Sequence, residues 1–288
     1  MTPQPGILPG IPNFGRFIEL RAKPTASLVA LEGLTVDERL VVGIGPRLAS
    51  HPEMHGFKAL SGAVDIPSTQ ADLLLWLRGD DAGEIATRAR HLLHSLPDFE
   101  VVRMVNGFKF GVHLETGLDL SGYEDGTENP EGDAALKAAF APDGASFLSL
   151  QLWEHDLTSF EAGPQVERDH TIGRRQSDNE ELEEAPLSAH VKRTAQESFT
   201  PEAFILRRSM PWSEGGREGL VFAAFGHSFA AFEALLARMA GAEDGTVDAL
   251  FSFTHPVSGA NYWCPPVAGG KLSLTPLVGS KPTLQLAP

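Results

Sequence analysis

"ADLLLWLRGDDAGEIATRARHLLHSLPDFEVVRMVNGFKF" spans residues 71–110. Its opening apolar run, Leu73–Leu77, is continuous but too short for a helix, which suits a strand buried on both faces. Gly79-Asp80-Asp81 ends that run. From about Asp81 the apolar residues of "AGEIATRARHLLHSL" recur at helical spacing behind an acidic start. "FEVVRMVNGFKF" (99–110) then reads as a strand again. Working outward, "FGRFIELRA" (14–22) and "RLVVGIG" (39–45) read as two earlier strands. Strands with few long helices between them suit an antiparallel sheet carrying helices on one face, an α+β arrangement.

The second half echoes the first. "SFLSLQLWEHDL" (146–157) reads as a strand running into a capped segment, and "EAFILRRSM" (202–210) and "GLVFAAFG" (219–226) as further strands. "SFAAFEALLARMAG" (228–241) has helical spacing and ends in glycine, and "DALFSFTHPVSGANYWCPP" (248–266) closes a core. Two similar α+β units are therefore expected, meeting near residue 140. Residues 158–198 read as polar, acidic and helix-poor, and a long irregular segment inside a compact domain is usually functional. The tail from Gly269 is expected to add little to the core.

Composition limits the function. The 288 residues suit one large or two ordinary domains. Lys and Arg total 23 against 38 Asp and Glu, a net charge of −15, which argues against binding nucleic acid or an anionic membrane surface. No apolar run approaches the ~20 residues that span a bilayer. "MTPQPGILPGIPNFGRF" lacks the basic-then-apolar pattern of a signal peptide. The single cysteine, Cys264, excludes an intrachain disulfide. A cytoplasmic protein is the default expectation.

Three places carry candidate chemistry. The first is "GYEDGTENP" (122–130), a loop by its glycines and its Asn-Pro step. Asp125 is either a turn former bonding its own backbone or a side chain that small neighbours bring close to something flat or bulky. The second is "FILRRSM" (204–210), where strand alternation sends Arg207 and Ser209 to one face and Arg208 to the other. An arginine facing the covered side needs an anion, supplied by a salt bridge or by a ligand. The third is His190 in "APLSAHVKRT", one of ten histidines, able to ligate a metal or a haem iron. No HExxH or CxxC pattern supports zinc, and no glycine-rich phosphate loop or G-x-S-x-G elbow is present. Cys264 could supply a thiolate, but a small core residue is the plainer reading.

Taken together these segments resemble the dye-decolorising peroxidases, haem peroxidases marked by a G-x-x-D-G loop, and in particular their compact bacterial B-type branch. The resemblance rests on an ordered set: "QPGIL" (4–8), "GYEDGTENP", "IGRRQSDNEEL" (172–182), "SAHVKR" (188–193), "ILRRSMPW" (205–212), "FEALLARM" (232–239) and the 248–266 segment. It covers roughly residues 4–267. Arg175-Gln176 departs from the Thr-Lys that family members more often carry.

The resemblance implies two ferredoxin-like units, each an antiparallel sheet with helices packed on it. Residues 1–140 would carry the distal loop, and 141–288 would bind haem b and bear the tail from about 269. His190 would be the proximal ligand through Nε2, with Asp248 accepting from its other ring nitrogen. Asp125 and Arg207 would form the distal pair, Arg207 and its same-face neighbour Ser209 would also contact the cofactor, and Arg174 would partner a haem propionate. The implied activity is reduction of hydrogen peroxide and oxidation of dyes, phenols or other one-electron donors through a ferryl intermediate. Trp153, Trp212, Trp263, Tyr123 and Tyr262 are candidate electron relays. A homo-oligomer is implied, and docking of the tail onto an encapsulating shell is a further expectation. The alternative is a haem-handling protein that stores, delivers or demetallates haem with incidental peroxidase turnover. Both readings need His190, but only the peroxidase needs Asp125 and Arg207 together. A member that has lost haem and serves as an interaction module is a third reading, which the intact set opposes.

Overall fold

The structure is a computed structural model that describes residues 1–49 and 51–274. Its first half runs β1 (Phe14–Ala22), α1 (Val29–Glu32), β2 (Leu40–Ile44), β3 (Leu73–Gly79), α2 (Ala82–Ser95) and β4 (Phe99–Phe108). Asp81 caps α2, accepting from the Glu84 backbone N–H at 2.8 Å. The strands lie in the order β4-β1-β3-β2, all antiparallel. Leu73, Leu75 and Leu77 pack with Ile85 and Ala89 of α2, while Leu74 and Trp76 face the opposite core. That double coverage is why β3 reads as a continuous apolar run rather than an alternating one.

The second half runs α3 (Gly132–Ala139), β5 (Ser146–His155), α4 (Leu157–Ala162), α5 (Gln165–Ile172), α6 (His190–Arg193), β6 (Leu206–Arg207), β7 (Met210–Glu214), β8 (Arg217–Gly226), α7 (Ala230–Met239), β9 (Thr254–Pro256) and β10 (Ala260–Cys264). Its main strands lie in the order β10-β5-β8-β7, the same 4-1-3-2 pattern as the first half. The two sheets then meet at both edges, Ile44 opposite Trp263 and Gly107 opposite Trp212. They form one closed ring whose interior holds Trp76, Leu148, Phe225 and Tyr262 in a single cluster. Helices α1 and α2 lie outside the first sheet. Outside the second, α7 packs Phe232, Leu235 and Leu236 on Ala224.

The α+β class stands, but neither sheet stands free, because each supplies half of a shared interior. Three local expectations are corrected. Residues 158–198 contain α4, α5 and α6 rather than being helix-poor. The 202–210 strand is interrupted, with β6 and β7 flanking Arg208 and Ser209, although both pair with β8 in one continuous register. Beyond Gly269 the chain does join the core: β11 (Val267–Ala268) and β12 (Lys271–Leu272) form a hairpin, and Leu272 and Leu274 are buried against the first-half cluster. The rest of the expected tail, 275–288, lies outside the described residues. Among the described residues no helix is long and apolar enough to cross a membrane.

Candidate active site

A cavity of about 290 Å³ opens on the outer face of the second sheet. Its wall takes Gln151, Trp153 and His155 from β5, and Leu220 and Phe222 from β8. Residues at i and i+2 share a strand face, which is why alternate positions line it. Leu235 and Leu236 of α7, His190 of α6 and the 123–128 loop complete the wall.

His190 begins α6, a helix of four residues with little stability of its own. Tertiary ties hold it instead. The Ala249 N–H donates to the Ser188 carbonyl at 2.7 Å, and the Asp248 N–H to the Met239 carbonyl at 2.8 Å. This brings the fully buried Asp248 carboxylate to 2.8 Å from His190 Nδ1. A carboxylate only accepts, so Nδ1 carries the proton and Nε2 keeps its lone pair. Arg193, one turn on, grips both oxygens of Asp244 at 2.8 and 2.9 Å. Its hydrogen bonds and charge hold the Asp244 carboxyl down at about 2.

Asp125 lies 3.6 Å from Arg207 Nη1, both side chains being partly exposed along the cavity wall. The loop is pinned for that approach. Asn129 accepts from the Arg207 backbone N–H at 2.7 Å and donates to its carbonyl at 3.3 Å. Gln196 donates to the Glu128 carbonyl at 2.9 Å and accepts from the Ile205 N–H at 2.9 Å. At the loop's other end, Asp119 faces His155 Nε2 at 3.1 Å and accepts from the Ser121 N–H at 2.8 Å. Burial pushes the Asp119 carboxyl up, but His155 and Ser121 outweigh it and the net shift is downward.

Gly122 sits at φ +84°, a backbone conformation that favours glycine, and a Cβ there would crowd the Gln176 amide at 2.4 Å. Gln176, noted in sequence only as a departure from the family pattern, donates to the Ser121 carbonyl at 3.0 Å and so also braces the loop.

The remaining candidates divide. Arg174 lines the cavity, but its guanidinium is already engaged by Glu128 and by the Asn179 carbonyl. Ser209 is buried beside the site without forming part of the cavity wall, and its hydroxyl has no partner among the described residues. Arg208 points the other way, as alternation requires, donating to the carbonyls of Ile7 and Leu8, and burial pushes it down to about 10. Of the five candidate relays only Tyr123 and Trp153 line the cavity. Trp212 and Tyr262 sit in the ring interior and Trp263 in the first-half core. Cys264 is in the interior too, with its thiol pushed up by burial. Sequence reasoning missed Asn129, Asp119, Gln196 and Gln151. Asn129 carried a signal only as half of an Asn-Pro turn, and its bonds to a strand 78 residues away leave no local trace.

No group of three His, Cys, Asp or Glu among the described residues could hold a bare metal ion. One imidazole with a free Nε2 can ligate a metal that brings its other ligands with it, and an apolar-walled cavity suits a flat macrocycle. The donor set therefore fits haem. A carboxylate and a guanidinium 3.6 Å apart on the same wall suit cleavage of a peroxide bond, so fold and site are those expected of a haem-type peroxidase.

The comparisons agree. The profile of the Dyp-type peroxidase C-terminal region matches residues 116–269. The dye-decolorizing peroxidase of Rhodococcus erythropolis is 31% identical over 275 residues, covering 90% of this chain and 78% of its own. That of Mycobacterium tuberculosis is 30% identical over 255 residues, covering 84% and 73%. Among solved structures, a dye-decolorizing protein from V. cholerae superposes with TM-score 0.81 at 28% identity, covering 91% of this chain and 96% of that one. A variant of DypB from Rhodococcus jostii, solved in complex with heme, gives 0.82 at 25% identity, covering 92% and 96%. The chain belongs to the Dyp-type peroxidase family. It is a dye-decolorising-type haem peroxidase, with hydrogen peroxide as its oxidant.

Proposed function

We propose that the cavity binds haem b through His190 Nε2 and that Asp125 and Arg207 activate hydrogen peroxide there. The carrying observation is the His190–Asp248 contact at 2.8 Å, which leaves the other imidazole nitrogen unengaged among the described residues in a cavity that an aspartate–arginine pair also lines. When bound, haem supplies the iron that holds peroxide and stores the oxidising equivalents later drawn by one-electron donors. Asp248 fixes the His190 tautomer and raises its basicity as a ligand. Asp125 would take a proton from one peroxide oxygen and return it to the other, so that a single carboxylate acts as base and then acid. The Arg207 guanidinium would stabilise negative charge on the departing oxygen. Arg174 meets a cofactor carboxylate by exchanging it for Glu128, its most exposed partner. Ser209, whose buried hydroxyl is unpaired among the described residues, is a further candidate contact for the cofactor.

In this reading residues 1–140 and 141–288 are two ferredoxin-like units, the second holding the cofactor. The protein is cytoplasmic and self-associating, acts on small donors such as dyes and phenols, and its tail is the segment for docking to a shell. The Asp125–Arg207 pair favours turnover over haem handling. The deciding experiment is an absorption spectrum of the purified protein with haemin, before and after peroxide. A Soret band that changes within the dead time of mixing supports the peroxidase, an inert Soret band supports haem handling, and no band refutes both.

A further inference from the structure

Gln151, in the middle of β5, is completely buried yet lines the cavity. Its amide orientation follows from a neighbour. Trp153 Nε1, which can only donate, lies 3.3 Å from the Gln151 carboxamide oxygen. The Nε2 group is therefore the free end, and among the described residues it has no partner. A buried unpaired N–H is costly, and a leucine or methionine would fill the same space without that cost. Sheet register supplies a second observation. Gln151 pairs with Phe222, and the β6–β8 and β7–β8 pairings, Arg207 with Ala224 and Met210 with Val221, bring Ser209 opposite Phe222 as well. Ser209 and Gln151 thus flank Phe222 in one row, next to the row of Arg207, and each carries a buried polar atom without a partner.

We propose that Gln151 is a hydrogen-bond donor of the cavity, its Nε2 gripping an anionic acceptor bound there. That acceptor is a small anion on the iron or a carboxylate of the cofactor. Gln151 then adds a neutral, fixed donor to the Arg207 cation. It cannot exchange its proton with peroxide, so it orients an acceptor without competing with Asp125. Trp153 is its positioning residue, holding the amide so that the donor faces inward.

This rests on the reading of the cavity as a haem site, and the test separates the two. The parent and Gln151→Met are loaded with haemin and their Soret bands compared. Each ferric holoprotein is then titrated with fluoride. In parallel, loss of haemin and of haemin dimethyl ester to apomyoglobin is timed. A fluoride affinity about tenfold weaker in the variant supports the proposal with a small anion as acceptor. A similar narrowing of the parent's preference for the free acid over the ester supports it with a cofactor carboxylate as acceptor. If both proteins load alike and neither readout moves, Gln151 is a structural residue and the proposal is overturned. If the parent takes up no haemin, the haem-site reading falls and this proposal with it. Gln151→Asn keeps the amide but draws it back by one methylene. It gives the same losses, and carries the test if the methionine variant does not fold.

Discussion

His190 and Arg207 each do one thing that no neighbour can take over. His155 also lines the cavity, but both of its ring nitrogens are engaged, by Thr254 and Asp119, whereas His190 meets Asp248 through Nδ1 and keeps Nε2 for a ligand, so His190→Ala should purify largely without haem. Retention of the parent Soret band by that variant would exclude His190 as the ligand. Arg207→Leu should slow the reaction with peroxide by roughly 10²–10³, the usual effect of removing one preorganised charge-stabilising group, while haem stays bound. Arg208→Leu separates the two arginines. Its guanidinium bonds the carbonyls of Ile7 and Leu8, so its loss should lower the melting temperature and leave the peroxide rate close to the parent's. Stopped-flow mixing and thermal unfolding of both variants would expose a reversed assignment.

At the level of elements, the site depends on two short segments held by tertiary ties. Asn129 joins the Asp125 loop to β6 through two hydrogen bonds to the Arg207 backbone. Asn129→Ala should cost about 1–2 kcal/mol of stability. It should also slow the peroxide reaction without changing the fraction of haem bound, a split that equilibrium unfolding and rapid mixing would detect. Helix α6 depends on Arg193–Asp244, and the Asp125 loop on Asp119–His155. Both carboxyls are held below the ordinary 3.8, Asp244 at about 2. A carboxyl depressed by folding contributes its full stability above its unfolded value and loses it as pH falls through the folded one. Haem retention should therefore weaken between pH 3.8 and about 2, as Asp244 and then Arg193 lose their contact. Asp244→Asn should retain haem less well at pH 6 and show a shallower loss across that window. An unchanged acid limb in the variant would assign the acid sensitivity to other groups.

The molecule as a whole is sealed at few points. Each sheet meets the other at a single pairing per edge, so contacts across the ring interior must hold the halves together. The Tyr262 hydroxyl, on β10, donates to Glu19 on β1 at 2.6 Å, and Arg103 reaches the other Glu19 oxygen at 2.7 Å. Tyr262→Phe keeps the ring but leaves a buried acceptor unpaired. It should cost about 1–3 kcal/mol in urea unfolding while the haem spectrum stays that of the parent. A spectrum altered in step with stability would mean that the interior is coupled to the cavity on the outer face.

The α+β class, most of the strands and α2 could be read from the chain, because Leu73–Leu77, Asp81 and the helical spacing after it act over a few residues. The family resemblance of the ordered motif set pointed to Asp125, His190 and Arg207, while local pattern alone showed only that Asp125 sits in a glycine-rich turn and that Arg207 and Arg208 face opposite ways. Closure of the two sheets was not legible. It is decided by Ile44 meeting Trp263 and Gly107 meeting Trp212, pairs far apart in sequence whose apolar character would equally suit two separate cores. The brace on the Asp125 loop was hidden for the same reason, since the partners of Asn129 and Asp119 lie on distant strands. Gln151 looked like an ordinary polar residue in a strand. Only folding puts it in the cavity wall with its amide turned by Trp153, because a hydrogen bond left unmade is a property of the packed interior and not of the chain.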